Sequence, residues 1–206
     1  FACAALAAGP AAAQAAFQAP SKVAAQKTPL ALRAPFNALA LAGTRIVAAG
    51  QRGHIVYSDD GGHRWSQAAV PVSADLTAHA YVDGTTGWAA GHEGVILHTA
   101  DGGATWTRQA DAAREPDRTF LDLWFEDAKK GYAIGAFGLL LRTEDGGAHW
   151  KWIPSGGIDF RDIWAMEVDP TRRDQVYVGT LPAAVYVSEN GGRSFRELSA
   201  FRKLAE

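Results

Sequence analysis

Three observations predict an all-β chain folded as a β-propeller of four-stranded antiparallel blades. An octet returns four times, as Ser58-Asp59-Asp60-Gly61-Gly62-His63-Arg64-Trp65, then at 99–106, at 143–150 and, more weakly, at 188–195. Its third position falls at Asp60, Asp101, Asp145 and Asn190, at intervals of 41, 44 and 45 residues, a period in the range of propeller blades. Between octets lie short, β-rich runs bounded by glycine, without helical periodicity. About four blades are expected within residues 35–206, over 35–70, 75–110, 118–155 and 159–200.

Each unit reads in the same order. A first strand starts at Phe36, Leu76, Phe120 and Phe160. A second follows at 45–47, 87–89, 131–134 and 175–178, and a third at 55–57, 95–97, 139–141 and 185–187. A tight turn joins second to third, with Gly50-Gln51-Arg52-Gly53, Gly91-His92-Glu93-Gly94 and Gly135-Ala136-Phe137-Gly138 placing glycine where positive φ is needed; Gly179-Thr180-Leu181-Pro182 departs from that rule. The octet is then the hairpin into a fourth strand. Asp60, Asp101, Asp145 and Asn190 accept N–H groups inside it, while Gly62, Gly103, Gly147 and Gly192 take a conformation that a Cβ would strain. Trp65, Trp106, Trp150 and, more weakly, Phe195 follow as wedges between sheets, each tryptophan burying on the order of 200 Å².

The octet resembles the Asp box of the bacterial neuraminidase repeat, Ser/Thr-x-Asp-x-Gly-x-Thr-Trp, which residues 99–106 match at every fixed position. That repeat occurs in sialidases and in many non-enzymatic propellers. The longer unit, from Gly87 to Gly103 and from Gly131 to Gly147, resembles a narrower family, the photosystem II assembly and stability factors with their bacterial homologues, across 36–150. The resemblance implies a non-enzymatic assembly or scaffolding factor for a membrane protein complex, photosystem II in a phototroph and another envelope complex otherwise. It also implies that the Asp boxes are structural. Family members usually carry more than four blades, so the chain is expected to be a fragment or an incomplete ring exposing strand edges and apolar faces; a closed four-bladed ring is the alternative.

Residues 1–15 are nearly all Ala, Leu and Gly without charge, and Ala13-Gln14-Ala15 has the small-x-small pattern of a signal-peptidase site. A signal-peptide remnant, a linker over 16–34 and export to the periplasm, or to the thylakoid lumen in a phototroph, are expected. A disordered alanine-rich linker or a lipoprotein acceptor at Cys3 are the alternatives. Cys3 is the only cysteine, so no internal disulfide is expected. No later run is apolar enough to span a bilayer. A formal net charge of −2, with scattered cations, gives little electrostatic reason to bind nucleic acid. A polar connector, residues 109–117, joins the second and third units.

No catalytic residue, metal ligand or cofactor is predicted. The recurring aspartates sit at turn positions, and the six histidines, His54, His63, His79, His92, His98 and His149, lack the short spacings of zinc sites. No Gly-rich phosphate loop or Gly-x-Ser-x-Gly elbow is present. A sialidase-like hydrolase is the alternative reading, with Arg33 as a loose match to a carboxylate-binding arginine and Asp59 or Asp122 as the acid. Against it, Tyr57, Tyr132, Tyr177 and Tyr186 all fall in predicted strands.

A binding site is predicted on the face opposite the octets, where the turns between second and third strands meet the lead-in to each first strand. Arg33, Arg52, His92, Glu93, Arg118, Phe137 and Arg161 are expected on that rim, with Asp122 and Asp162 on the channel wall. Arginines around an exposed phenylalanine suit a protein partner.

Overall fold

The computed structural model describes residues 17–109, 118–154, 156–158 and 161–202; the Ala13-Gln14-Ala15 site, Cys3, Phe160 and all but Gln109 of the polar connector lie outside them. Four separate antiparallel sheets follow one another, each a four-stranded meander in chain order. The first comprises β1 (Phe36–Ala42), β2 (Arg45–Gly50), β3 (Ile55–Ser58) and β4 (Ser66–Gln67), and the second β5 (Leu76–Tyr81), β6 (Gly87–Gly91), β7 (Ile96–Thr99) and β8 (Thr107–Arg108). The third comprises β9 (Phe120–Phe125), β10 (Gly131–Gly135), β11 (Leu140–Thr143) and β12 (Lys151–Trp152), and the fourth β13 (Asp162–Val168), β14 (Val176–Leu181), β15 (Ala184–Ser188) and β16 (Arg196–Glu197). Their first strands lie side by side, β1 against β5, β5 against β9 and β9 against β13. This is the blade arrangement of a propeller, here an incomplete one of about four blades.

Alternation along each strand builds the core, because successive side chains leave a sheet on opposite faces. Ala89 and Leu97 of the second sheet join Val47, Ala49 and Ile55 of the first in one apolar layer. Their neighbours Trp88, Ala90 and Ile96 join Phe120, Phe125 and Ala133 of the third sheet in the next layer. A third layer sets Ile134 and Leu140 against Ile163, Val176 and Val178. Sheets covered on both faces leave their second strands buried throughout, as in β6 and β10. At the centre of the stack, fully buried Trp88 lies parallel to Phe125 with ring centroids 3.6 Å apart, and its Nε1 donates to the Gly146 carbonyl of the next octet at 2.9 Å.

The wedge expectation holds for Trp106, which is 4% exposed, and for Phe195, buried at 9% between the third and fourth sheets. Trp150 is half-buried, with Nε1 lacking a partner among the described residues. Trp65 is also half-buried, because the side it faces has no further sheet and only Ala31 and its short 3-10 turn pack there. Leu39 and Leu41 on the same face are 71% and 62% exposed, as is Trp164 of the last sheet at 55%. The arc is therefore open, and a closed four-bladed ring is excluded. Residues 17–34 lie against the first two blades: Thr28 N–H donates to Gln67 Oε1 at 2.9 Å, Ala25 N–H to the Val70 carbonyl at 3.0 Å and Ser73 N–H to the Pro20 carbonyl at 2.8 Å. The fourth unit departs at its turn, since β14 runs to Leu181 and Thr180 pairs directly with Ala184, leaving no glycine turn.

Candidate binding rim

The turns between second and third strands are built from one backbone pattern with two distinct uses of glycine. Gly50, Gly91 and Gly135 have extended or near-extended backbone; a Cβ there would run into the carbonyls of Pro35, Asp75 and Thr119, which lead into the first strand of the same blade. The closing glycines, Gly53, Gly94 and Gly138, are left-handed, with φ of 68°, 62° and 70°. Between them stand Arg52, Glu93 and Phe137, with φ of 55°, 55° and 57°, the only non-glycine residues at positive φ among those described. A side chain in that region is strained and persists where its surroundings over-determine it.

The determining contacts form a belt of main-chain hydrogen bonds. Gln51, His92 and Ala136 N–H groups donate to the carbonyls of Pro35, Asp75 and Thr119 within their own blades, at 3.2, 2.9 and 3.1 Å. Gly94 and Gly138 N–H groups cross to the next blade and donate to the carbonyls of Arg118 and Arg161, each at 2.7 Å. Two carboxylates complete the crossing: Asp75 Oδ1 accepts from Arg52 N–H at 2.8 Å and Asp162 Oδ1 from Phe137 N–H at 3.0 Å. The strained residue of one turn is thus tied to the following blade.

This belt gathers Arg52, His92, Glu93, Arg118, Phe137 and Arg161 at one end of the blades. Phe137 projects outward, 66% exposed, and Arg52 and His92 are exposed beside their turns. Glu93 is half-buried, its Oε2 accepting from Ser21 N–H at 2.9 Å, and His92 Nδ1 lies 3.3 Å from Thr119 Oγ1. Arg161 lies over the Tyr186 ring at 5.6 Å and reaches the Pro182 carbonyl at 3.4 Å. Arg33 ends the 3-10 turn Pro29–Arg33, exposed, and no hydrogen bond among the described residues ties it to the belt. Asp162, the first residue of β13, anchors Phe137 through its N–H. Asp122 also bridges blades, accepting from Leu123 N–H at 2.8 Å and from Met166 N–H of the fourth blade at 3.1 Å. Burial raises its pKa despite those donors. Asp75 escapes sequence reasoning: its only signal is a carboxylate directly before a first strand, facing a turn whose N–H needs an acceptor.

On the opposite face the octets close on themselves. Ser58, Thr99, Thr143 and Ser188 hydroxyls accept from the N–H of Gly62, Gly103, Gly147 and Gly192 at 2.8, 3.0, 2.8 and 2.9 Å. Asp60, Asp101, Asp145 and Asn190 Oδ1 accept from Arg64, Thr105, His149 and Ser194 N–H at 2.8, 2.9, 2.9 and 3.0 Å. The His149 N–H and imidazole hold the Asp145 carboxyl down at about 2. In both glycines of every pair φ is positive, the first at 66–72° and the second at 82–93°. Trp65 and Trp106 indoles each donate to their own octet, to the Gly62 and Gly103 carbonyls at 3.0 Å.

The acids offered to a sialidase chemistry are engaged elsewhere. Asp59 is held by Arg45 at 2.6 Å, and Asp122 bridges two blades. Tyr132 and Tyr186 are buried and Tyr57 and Tyr177 half-buried. Among the described residues no three His, Cys, Asp or Glu side chains converge on a metal-sized site.

Fold and repeat together define an incomplete β-propeller of BNR repeats whose octets are each closed by their own hydrogen bonds and whose opposite rim is displayed. A family profile described as photosynthesis system II assembly factor YCF48 matches residues 44–118, the first two blades from the β1–β2 turn to the lead-in of the third. YCF48 from Cyanidioschyzon merolae is 29% identical, with a TM-score of 0.56 over 65% of this chain and 42% of that one. A structure described as YCF48 bound to D1 peptide is 14% identical, with a TM-score of 0.52 over 83% of this chain and 84% of that one. The GH74 enzyme of Niastella koreensis shares the fold at 18% identity and a TM-score of 0.62, over 78% of this chain and 29% of that one. No curated protein matches. The chain resembles the photosystem II assembly factor family, and it spans less than half the length of the Cyanidioschyzon protein.

Proposed function

We propose that this chain is a non-enzymatic propeller that assembles or stabilises a membrane protein complex, of photosystem II type in a phototroph, by holding a subunit segment on the rim. The observation that carries this reading is the assembly-factor profile over residues 44–118, which includes two of the rim turns. The solved relative bound to D1 peptide supports a membrane-subunit peptide as the kind of partner. On the rim, Phe137 supplies an apolar anchor between arginines, the residue types that dominate protein interfaces. No helix among the described residues is long and apolar enough to cross a membrane. Export to the periplasm or thylakoid lumen, read from residues 1–15, belongs to the same proposal.

Capture of solubilised membrane subunits from the source organism tests it. Arg52→Glu combined with Phe137→Ser should reduce capture at least about tenfold while the melting temperature stays within a few degrees. Undiminished capture would remove the rim from consideration. Turnover of a fluorogenic sialoside that disappears in Arg33→Ala would replace the reading with a hydrolase.

A further inference from the structure

We propose that a groove at the seam between the third and fourth blades, on the octet side and away from the rim, is a docking site for an extended acidic peptide of a partner protein. The first observation is a break in the chain's own repeat. On the outermost strand, the residue in register with the middle of the third strand is Gln67 opposite Val56, Arg108 opposite Leu97 and Glu197 opposite Tyr186. In the third blade that polar place belongs to Trp152, opposite Leu141 and 57% exposed. A large indole left in water at a position the fold fills with polar residues elsewhere needs a reason outside the fold.

The second observation is what surrounds it. A groove of about 460 Å³ runs along the strand end at Trp152, with Ile153 and Pro154 on its apolar side and Arg142, Lys151 and Arg193 supplying cations. The two carboxylates there are already engaged: Glu144 pairs with Arg142 at 3.2 Å, and Asp145 with His149 at 2.7 Å and with its own turn. Lys151 has no ionic partner among the described residues, and the one hydrogen bond of the Arg193 side chain goes to the Asn190 carbonyl at 3.3 Å. Lys151 and Arg193 thus stand at the groove as cations without a carboxylate partner among the described residues, while the indole, paired with Leu141 of the second–third layer, stands on the other face of β12; an extended segment in which carboxylates alternate with an apolar or aromatic side chain matches both faces.

The third observation concerns shape. β12 pairs only with β11, so its other edge carries no strand. An extended segment can lie along that edge, take main-chain hydrogen bonds from it and rest a side chain on Trp152, the geometry of strand addition.

Fluorescence anisotropy with a labelled Asp-Glu-Phe-Glu-Asp peptide and its Asn-Gln-Phe-Gln-Asn counterpart tests this on the whole chain. The acidic peptide should bind about tenfold tighter than the amide one, and less tightly as salt is raised. Trp152→Gln, which installs the first blade's residue, should weaken binding about fivefold or more, and Lys151→Glu with Arg193→Glu about tenfold or more. Both changes are at exposed positions, and circular dichroism should show the same melt as the parent. Arg52→Glu on the rim should leave this binding unchanged, which separates the groove from the rim proposal. Equal affinity for the two peptides, indifference to the groove substitutions or loss on Arg52→Glu would each overturn it. So would self-association, seen by sedimentation, that Trp152→Gln abolishes, since the occupant would then be a second copy of the chain.

Discussion

Phe137 holds a left-handed backbone because Asp162 accepts its N–H and Gly138 reaches across to the next blade, so its side chain contributes strain while the frame supplies the conformation. Asparagine tolerates that region better, and Phe137→Asn should leave stability unchanged or raise it by up to about 1 kcal/mol, while partner capture falls. Denaturant midpoints beside capture assays read both effects. Thr99 has the opposite balance: its buried hydroxyl accepts from Gly103 and Asp101 N–H groups, and Thr99→Val should cost about 2 kcal/mol by leaving the buried Gly103 N–H without an acceptor. The octet was legible in the sequence because its bonds span only two to four residues and so leave a fixed local motif. The left-handed state of Arg52, Glu93 and Phe137 was not, since it depends on groups in the following blade far along the chain. Asp75 and Trp152 escaped for the same reason, because each acquires meaning only from its spatial neighbours.

Strands and their seams set the next level. His79, on β5, faces the first sheet with both ring nitrogens sealed from solvent and neither completing a hydrogen bond of good geometry, edge-on to Tyr81 at 5.8 Å. Burial, only partly offset by the Leu39 backbone, pushes its pKa down to about 4. The folded state therefore keeps the imidazole neutral, while the unfolded chain takes up a proton below about 6.5. This contribution to stability is whole above pH 6.5 and shrinks as pH falls toward 4, by an amount on the order of 3 kcal/mol. Unfolding curves across that window should show the loss, and His79→Phe should flatten it. Gly91→Ala tests the seam of the turn: its methyl group would meet the Asp75 carbonyl and the Leu76 backbone, and a loss of about 2 kcal/mol or more is expected in thermal melts. Strand order and blade period were readable from apolar runs between glycines. Which glycine serves close approach and which serves positive φ was not, because the two are identical in sequence and differ only in what faces them.

At the scale of the molecule, four sheets stacked through three apolar layers end in two uncovered faces. Leu39 and Leu41 on the first of these contribute little to the folded chain because they are already in water. Leu39→Lys with Leu41→Lys should shift stability by less than about 0.5 kcal/mol and reduce any concentration-dependent association seen by analytical ultracentrifugation. The incomplete arc was foreseeable from length against blade period; the docking of residues 17–34 on the first two blades was not, since side-chain to main-chain contacts such as that of Gln67 with Thr28 leave no periodic trace. On the displayed side, three turns share one skeleton and carry a cation, an anion and an aromatic ring at the same station. The main-chain frame is common to all three, so exchanging residues 52 and 137 should give isostructural proteins whose displayed faces differ in charge and apolarity, while replacing Glu93 would also release the N-terminal segment that it holds through the Ser21 N–H.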